Sequence, residues 1–404
     1  MKIVHLLWSM DLKDGGVVRA ILDLCPMLSR NGHEVVLLTS RDADVPGDWK
    51  GAGAPGRPRC VLLPPRGIGR TYGRRALAII REQVRDADVL HLHGMWMTCN
   101  DQAARIARRL GVPYIISPHG MLDDWCMAQR SLKKRAYLAL GGASNLANAA
   151  VIHCTAPAEL EQAGKWFPRR LGVVVPLPFD LSDYRDLPGP QEARDRFALG
   201  SPDQPGYQPV ILFLSRIDRK KGLEVLIRSV SRLRADGVAA RLVIAGGGEQ
   251  HYVDSLRALV DQSGLRDSTI FAGFVSGKLK VSLYQAAEVF CLPSSQENFG
   301  YVVVEALAAR TPVITTRGVA LWPTLESERA AALVEPTVDE LVPALRSALT
   351  DRAAALASAA RGRDWCMHAF EHANIAAGFD QMYAQAARTA RVPAEGRQQG
   401  SECA

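Results

Sequence analysis

Apolar positions along the 404-residue chain follow two alternating rhythms. Short runs in which nearly every residue is apolar, KIVHLLW (2–8), EVVLLTS (34–40), DVLHLHG (88–94), PYIISPHG (113–120) and AVIHCTA (150–156), read as strands buried on both faces. Between them, apolar residues return every three or four positions over Val17 to Asn31, about 74–85 and about 100–110, and a long basic amphipathic stretch runs to about 148. Strands separated by crossover-length helices predict a parallel sheet covered on both sides. The pattern breaks at 186–209, where five prolines and three glycines gather, and then restarts. The second series is VILFLS (210–215), helix 222–236, RLVIAG (241–246), helix 250–264, TIFAGFV (269–275), helix 277–286, EVFCLPS (288–294), helix 300–309 and PVITT (312–316). The expectation is an α/β chain of two doubly wound, Rossmann-like domains, 1–185 and 210–367, joined by a 186–209 linker. An amphipathic segment at about 368–390 is expected to pack back on the first domain, and 392–404 to form a flexible tail.

Composition narrows the classes. Hydrophobic residues make up 48% and charged residues 23%, the balance of a globular protein rather than a disordered one. No stretch approaches the ~18 apolar residues of a spanning helix, and the opening MKIVHLLWSMDLKDGG is broken by Asp11 and Lys13 before it could form a secretory leader. Any membrane contact is therefore expected to be peripheral, and the location cytoplasmic. Eight cysteines without C-x-x-C or zinc spacing suit reduced, buried thiols. The excess of 49 basic over 42 acidic residues favours anionic partners. Nucleic acid is disfavoured because no aromatic platform accompanies the basic residues.

Ligands of doubly wound sheets bind beyond the carboxyl ends of the strands, so two such domains are expected to offer strand-end loops to a shared cleft. In FLSRIDRKKG, Arg216 follows a strand and Lys221 precedes a helix, a pair suited to a diphosphate. Gly246, Gly247 and Gly248 fill the next strand-to-helix loop, and Gly15 and Gly16 the first one, where a missing side chain permits close ligand approach or merely tight packing. Neither is G-x-G-x-x-G, so a nicotinamide cofactor is not expected. In SSQENFGYVVVEALAARTPVITT, the loop Asn298, Phe299 and Gly300 leads into a helix whose N–H groups aim at the same anion. Glu297 and Glu305 stand ready to accept sugar hydroxyls. Their spacing alone says little, since any glutamate finds another acid eight positions on about one time in ten at this composition. His119 at a strand end has the bland reading of a ring satisfied by backbone, and so has His93.

The flanking residues carry more. PSSQENFGYVVVEALAARTPVITT, with its E-x7-E element, together with SRIDRKKG, resembles the signature of glycosyltransferase family 4 on the GT-B fold. GGVVRAILDLCPMLSRNGHEVVLLT, DVLHLHGMW and YIISPHGMLDDW resemble members that build bacterial exopolysaccharide and lipopolysaccharide, and the likeness runs from Met1 to about Arg388. The resemblance implies a retaining transferase that needs no metal or other cofactor and moves a sugar from a nucleotide-diphosphate donor to a glycan or lipid-linked acceptor. Arg216 and Lys221 would hold the diphosphate, with Asn298, Phe299 and Gly300 completing its loop. Glu305 and the glycine triplet would take the nucleoside, Glu297 the donor sugar, and His119 would sit by the anomeric centre. PLPFD (176–180) departs from the family's P-N-G-x-D, and the triplet from the commoner G-x-G.

Three alternatives stand beside this. Asp-Ala-Asp at 42–44 and 86–88 could suggest a metal-binding D-x-D, but both strings suit turns. A nucleotide-sugar epimerase shares the two-domain architecture, and a non-catalytic nucleotide-sugar binder would share the site. The basic segments 66–75 and 129–140 suit solvated helix faces or a dock for anionic lipid at the inner membrane face.

Overall fold

A computed structural model describes residues 1–51, 56–64 and 70–389; the expected tail and part of the basic segment at 66–75 fall outside them. The chain divides into two compact units, Met1–Phe179 with the segment from His372, and Asp180–Glu371. Among the described residues no helix is long and apolar enough to cross a membrane.

The first unit holds β1 (Lys2–Leu6), β2 (Glu34–Thr39), β3 (Arg59–Leu62), β4 (Val89–His93), β5 (Tyr114–Ser117), β6 (Val151–Cys154) and β7 (Gly172–Val174). They form one parallel sheet in the order β3-β2-β1-β4-β5-β6-β7, which reverses direction between β1 and β4. Register sets His5 beside His91 and His93 beside Ser117. Because side chains alternate across a strand, residues two apart share a face, so His91 and His93 point the same way. The opposite face buries Val4, Leu6, Leu90 and Leu92 against helices Arg74–Val84 and Thr98–Leu110. Helix His372–Thr389 covers the histidine face, with Phe379 and Tyr383 against the rings of His153 and His91.

The second unit holds β8 (Val210–Leu214), β9 (Arg241–Ala245), β10 (Thr269–Gly273), β11 (Val289–Leu292), β12 (Val313–Thr316) and β13 (Ala332–Val334), parallel in the order β10-β9-β8-β11-β12-β13. The reversal lies between β8 and β11. In each unit the crevice beyond the reversal is where a doubly wound sheet accepts ligands.

The sequence rhythm does not mark β3, β7 or β13. Each lies at a sheet edge and is three or four residues long, so it lacks the continuous apolar run of a strand buried on both faces. Residues 186–209 are not a free linker. They contain helix Gln191–Phe197, Ala193 N–H donates to Ser282 Oγ (3.0 Å) and Gly189 N–H to Gln285 Oε1 (2.7 Å), so the segment is fastened to helix Gly277–Ala286 of the second unit. Its prolines and glycines bound a short helix; the units part instead at Phe179. The region 368–390 holds the end of helix Arg352–Ala369 in the second unit and helix His372–Thr389 in the first.

Candidate active site

In the second unit the chain leaves β8 through Ser215–Gly222. Asp218 accepts from the Lys220 N–H (3.1 Å) and opens a single tight turn, Arg219–Lys221. Gly222 closes it at φ +73°, where a Cβ would stand 2.1 Å from the Pro293 carbonyl oxygen, so only glycine lets the turn lie against the end of β11. Ser295 N–H donates to the Lys220 carbonyl (2.8 Å), tying the loop after β11 to the same turn. The result places Lys221, 5% exposed, in an ion pair with Glu297. Burial, together with the neighbouring cations Lys220 and Arg216, brings the Lys221 ammonium down to about 7, while the Asp218 carboxylate works the other way. Arg216 lies open beside them, its side chain 57% exposed and 4.0 Å from Asp218.

The loop carrying Glu297 is strapped at its backbone. Glu297 N–H donates to Gly318 O (2.8 Å), and Ala320 N–H donates to Glu297 O (3.0 Å). Asn298 is half-buried. Phe299 turns inward, 3% exposed, against Tyr301 and Phe370, so its ring anchors the loop and only its backbone can meet a ligand. Gly300, at φ +79°, starts helix Tyr301–Ala308. On that helix Glu305 accepts from Lys280 Nζ (2.7 Å) and Tyr284 OH (3.0 Å), two residues of helix Gly277–Ala286. Burial and the Glu305 charge keep the Tyr284 hydroxyl protonated and donating. Lys280 escapes sequence reasoning; a Lys four positions before a Tyr on one helix face is its only signal.

The glycine triplet divides. A Cβ on Gly246 would stand 1.9 Å from Ser215 O, and one on Gly248 2.2 Å from Ile217 O, so both serve the packing of this loop on the segment that bears Arg216. Only Gly247 faces open space. Of the two readings left open for the triplet, tight packing accounts for Gly246 and Gly248.

In the first unit Gly15 takes φ +109° ahead of helix Gly16–Arg30, with no atom near its missing Cβ, so backbone conformation alone selects glycine there. The Asp-Ala-Asp strings are occupied: Asp42 pairs with Lys50 (2.7 Å), Asp44 accepts from Leu12 N–H (2.7 Å), and Asp86 and Asp88 hold Lys2 through its ammonium and its N–H.

His119 is 7% exposed and held at φ +53°. The next residue, Gly120, donates its N–H to Glu159 Oε1 (2.6 Å), and Glu159 Oε2 accepts from Thr155 N–H and Oγ1 (2.6 and 2.7 Å). Glu159 is a buried carboxylate, pushed up by burial against those bonds, and it fixes the loop that aims His119. Sequence reasoning missed it because the contact spans 39 residues.

Around His119 lies a histidine cluster. His119 Nε2 bonds His93 Nδ1 (3.1 Å), and His93 Nε2 bonds His5 Nδ1 (3.0 Å). Separately, His91 bonds Tyr383 OH (2.9 Å) through Nδ1 and Ser117 Oγ (2.7 Å) through Nε2; Ser117 bonds His153 Nδ1 (2.7 Å), and His153 Nε2 meets Val175 O (2.8 Å). Burial lowers all five rings, His5 and His119 to about 3 and His153 to about 4, so they are neutral at neutral pH. Nitrogens of His5, His91 and His93 lie within 4.8 Å of one another, close enough for a metal. Both His91 and both His93 nitrogens are already engaged, which makes the cluster a hydrogen-bond system rather than a vacant ligand set. His93 therefore departs from its bland reading.

Comparison with known proteins agrees with this division. The family described as Glycosyl transferase 4-like domain matches residues 15–178, inside the first unit, and Glycosyl transferases group 1 matches 194–365, inside the second. The chain belongs to glycosyltransferase family 4. An uncharacterised glycosyltransferase of Methanocaldococcus jannaschii is 32% identical over 57% of the chain and 57% of its own length. A GDP-mannose-dependent alpha-(1-6)-phosphatidylinositol monomannoside mannosyltransferase of Mycobacterium tuberculosis is 30% identical over 47% and 50%. The match thus spans about half the length of these relatives. Among solved structures, sucrose-phosphate synthase of Thermosynechococcus elongatus superposes with TM-score 0.72 at 21% identity over 95% of the chain and 98% of its own. Anabaena HepE in complex with UDP-glucose gives 0.73 at 17% identity over 96% and 100%. At those identities the likeness is one of fold, two parallel α/β domains of GT-B type. In this family 4 glycosyltransferase the cations and carboxylates of E-x7-E and its partners gather at the reversal of the second sheet, and the neutral histidines at the reversal of the first.

Proposed function

We propose that the protein is a retaining, metal-independent glycosyltransferase that moves a sugar from a nucleotide-diphosphate sugar to a glycan or lipid-linked acceptor in cell-surface polysaccharide synthesis. The observation that carries this is the convergence of Arg216, Lys221 and Glu297 at the paired ends of β8 and β11, beside the start of helix Tyr301–Ala308. A leaving nucleoside diphosphate gains negative charge as the glycosidic bond breaks, and fixed cations with a helix N-terminus stabilise that charge in place of a metal. Glu305, oriented by Lys280 and Tyr284, accepts from the ribose hydroxyls, and Glu297 hydrogen-bonds the sugar being transferred; in the first unit His119 offers a neutral ring to a sugar hydroxyl. The base stays open, since one relative's name specifies GDP-mannose and one structural neighbour holds UDP-glucose.

A lipid-linked acceptor has a surface to suit it. Trp125, Leu132 and Leu140 are 43%, 81% and 88% exposed, with Arg130, Lys133 and Arg135 exposed among them. Apolar side chains ringed by cations favour the anionic inner face of a membrane. Flotation with vesicles containing phosphatidylglycerol, but not with neutral ones, is expected; equal behaviour with both removes the docking assignment.

The function is tested by a thermal-shift screen of nucleotide sugars, followed by turnover with the donor that stabilises best. Arg216→Ala should weaken donor binding by about 10- to 100-fold, the worth of a charge-assisted hydrogen bond, at unchanged melting temperature. Unchanged affinity and turnover would remove the diphosphate assignment. Interconversion of the donor sugar without any acceptor would make the protein an epimerase instead.

A further inference from the structure

The two hydrogen-bond chains of the histidine cluster differ in one respect. In the chain through His91 the direction is fixed. The Val175 carbonyl can only accept, so His153 donates from Nε2 and, being neutral, accepts at Nδ1 from the Ser117 hydroxyl. Ser117 then accepts from His91 Nε2–H, and His91 Nδ1 accepts from Tyr383 O–H. Every group in that chain has one role.

The chain through His119 has no such terminus. Three neutral rings carry three ring protons, and keeping both bonds leaves two arrangements. In one, His119 donates from Nε2 to His93 and His93 from Nε2 to His5, leaving a lone pair at His119 Nδ1 and a proton at His5 Nε2. In the other, His5 donates from Nδ1 to His93 and His93 from Nδ1 to His119, which leaves His119 with a proton on Nδ1. The two arrangements differ in which end atom carries the outermost proton, His5 Nε2 in the first and His119 Nδ1 in the second. These two end atoms are buried and have no hydrogen-bond partner among the described residues. The rings of His5 and His93 lie nearly parallel, at 10°, as do those of His93 and His119, at 20°. His91 of the fixed chain packs on His93 at 4.2 Å between centroids and restrains that ring.

We propose that His5 and His93 are positioning residues for His119, joined so that the three rings share one tautomer, and that this chain decides whether His119 Nδ1 accepts from or donates to a hydroxyl of the bound sugar. The assignment rests on the transferase reading for its ligand, a neutral polyhydroxyl group, though not for the coupling between rings. A sugar hydroxyl both donates and accepts, so whichever shared tautomer the three rings hold, His119 Nδ1 can meet it without burying a charge. Glu159 contributes by fixing the loop that carries the ring, and the neutral chain through His91 supplies no charge that would bias the direction.

The test labels the nine histidines with nitrogen-15 and reads ring tautomers by long-range proton–nitrogen correlation, assigning His5, His93 and His119 through His→Asn variants. All three rings are expected to carry their proton on the same nitrogen type, and His5→Leu is expected to disturb the His119 signal two rings away. Rings of mixed tautomer, or a charged His119 at pH 7, would overturn the coupling whatever the enzyme does. With donor and acceptor in hand, His5→Leu should lower kcat by about tenfold or more at unchanged donor KM, the size of effect that partners of a functional histidine usually have. His5→Asn, whose amide can donate or accept at the same place, should restore most of it. If His5→Leu fails to fold, the wild-type tautomers and the His5→Asn rates still decide. Loss of activity in His119→Ala with uncoupled tautomers would sink the relay and spare the transferase; full activity in His119→Ala would sink the role of His119 itself.

Discussion

Acidification should destabilise the first unit steeply, and the size follows from its buried rings. His5 and His119 titrate at about 3 in the folded chain and His153 at about 4, against 6.5 for an unburied ring. A base whose folded-state value is depressed binds fewer protons folded than unfolded, so stability is full above 6.5 and is lost as pH falls toward the folded values. Between pH 7 and pH 5 each of the three loses about 2 kcal/mol by this linkage, or ~5–6 kcal/mol together. His91 and His93 are shifted in the same direction and add to the loss. A typical domain holds only about 5–15 kcal/mol in all, so the first unit should open well before ordinary acid denaturation. Hydrogen exchange of β1 and β4 peptides across a urea series at pH 7 and pH 5, followed by mass spectrometry, isolates that unit from the second. A change under about 1 kcal/mol across that interval, or a folded-state ring titrating near the 6.5 of a free histidine, would refute the neutral-cluster account.

Three further outcomes follow from the second unit. Lys221, brought down to about 7, should be driven back toward its ordinary range by a bound diphosphate, so binding at pH 8 should take up protons. The Glu297 pair reduces the uptake; calorimetry in two buffers of different ionisation enthalpy measures it, and Lys221→Met should abolish it. Gly246→Ala should cost at least about 3 kcal/mol in a urea melt because its Cβ meets Ser215 O, whereas Gly247→Ala, facing open space, should stay within about 1 kcal/mol. Lys280→Met should weaken nucleoside diphosphate binding several-fold in a titration by leaving Glu305 to Tyr284 alone, and a wild-type affinity would show that Lys280 has no part in orienting it.

What the sequence discloses depends on whether a feature is local. The strands β1, β4 and β8 are legible because burial on both faces writes itself as an unbroken apolar run, and the turn Arg219–Lys221 because its cations adjoin a strand end. Edge strands such as β7, three residues long, write no such run. The Lys221–Glu297 pair crosses 76 positions, but a motif had already marked both ends. Nothing comparable marks Glu159 or Lys280, whose partners lie 39 and 25 positions away, or the join of His5 to His93, which exists only once β1 lies beside β4 in one register. Gly246 and Gly248 show the reverse limit, since a glycine needed for ligand approach and one needed for packing look alike until the Ser215 and Ile217 carbonyls are in place.

The two units carry one sheet order and opposite electrostatics at the same topological point. In the second, the ends of β8 and β11 hold Arg216 open to water and Lys221 buried in its ion pair with Glu297, cations that can trade solvent or a carboxylate for a phosphate. In the first, the ends of β1, β4, β5 and β6 bury rings so deeply that charge is expelled from them, leaving hydrogen bonds as the only means of recognition. A diphosphate brings several negative charges and needs cations; a sugar brings neutral hydroxyls, which neutral rings can meet by hydrogen bonds as carboxylates do. Strand order sets where a ligand sits, and the depth at which titratable side chains lie beyond the strands sets what chemistry it can have. By that criterion charging the first unit's site, as in His93→Lys, should eliminate its folding, read as loss of hydrogen-exchange protection in β1 and β4, and the second unit should tolerate Lys221→Arg far better than Lys221→Met.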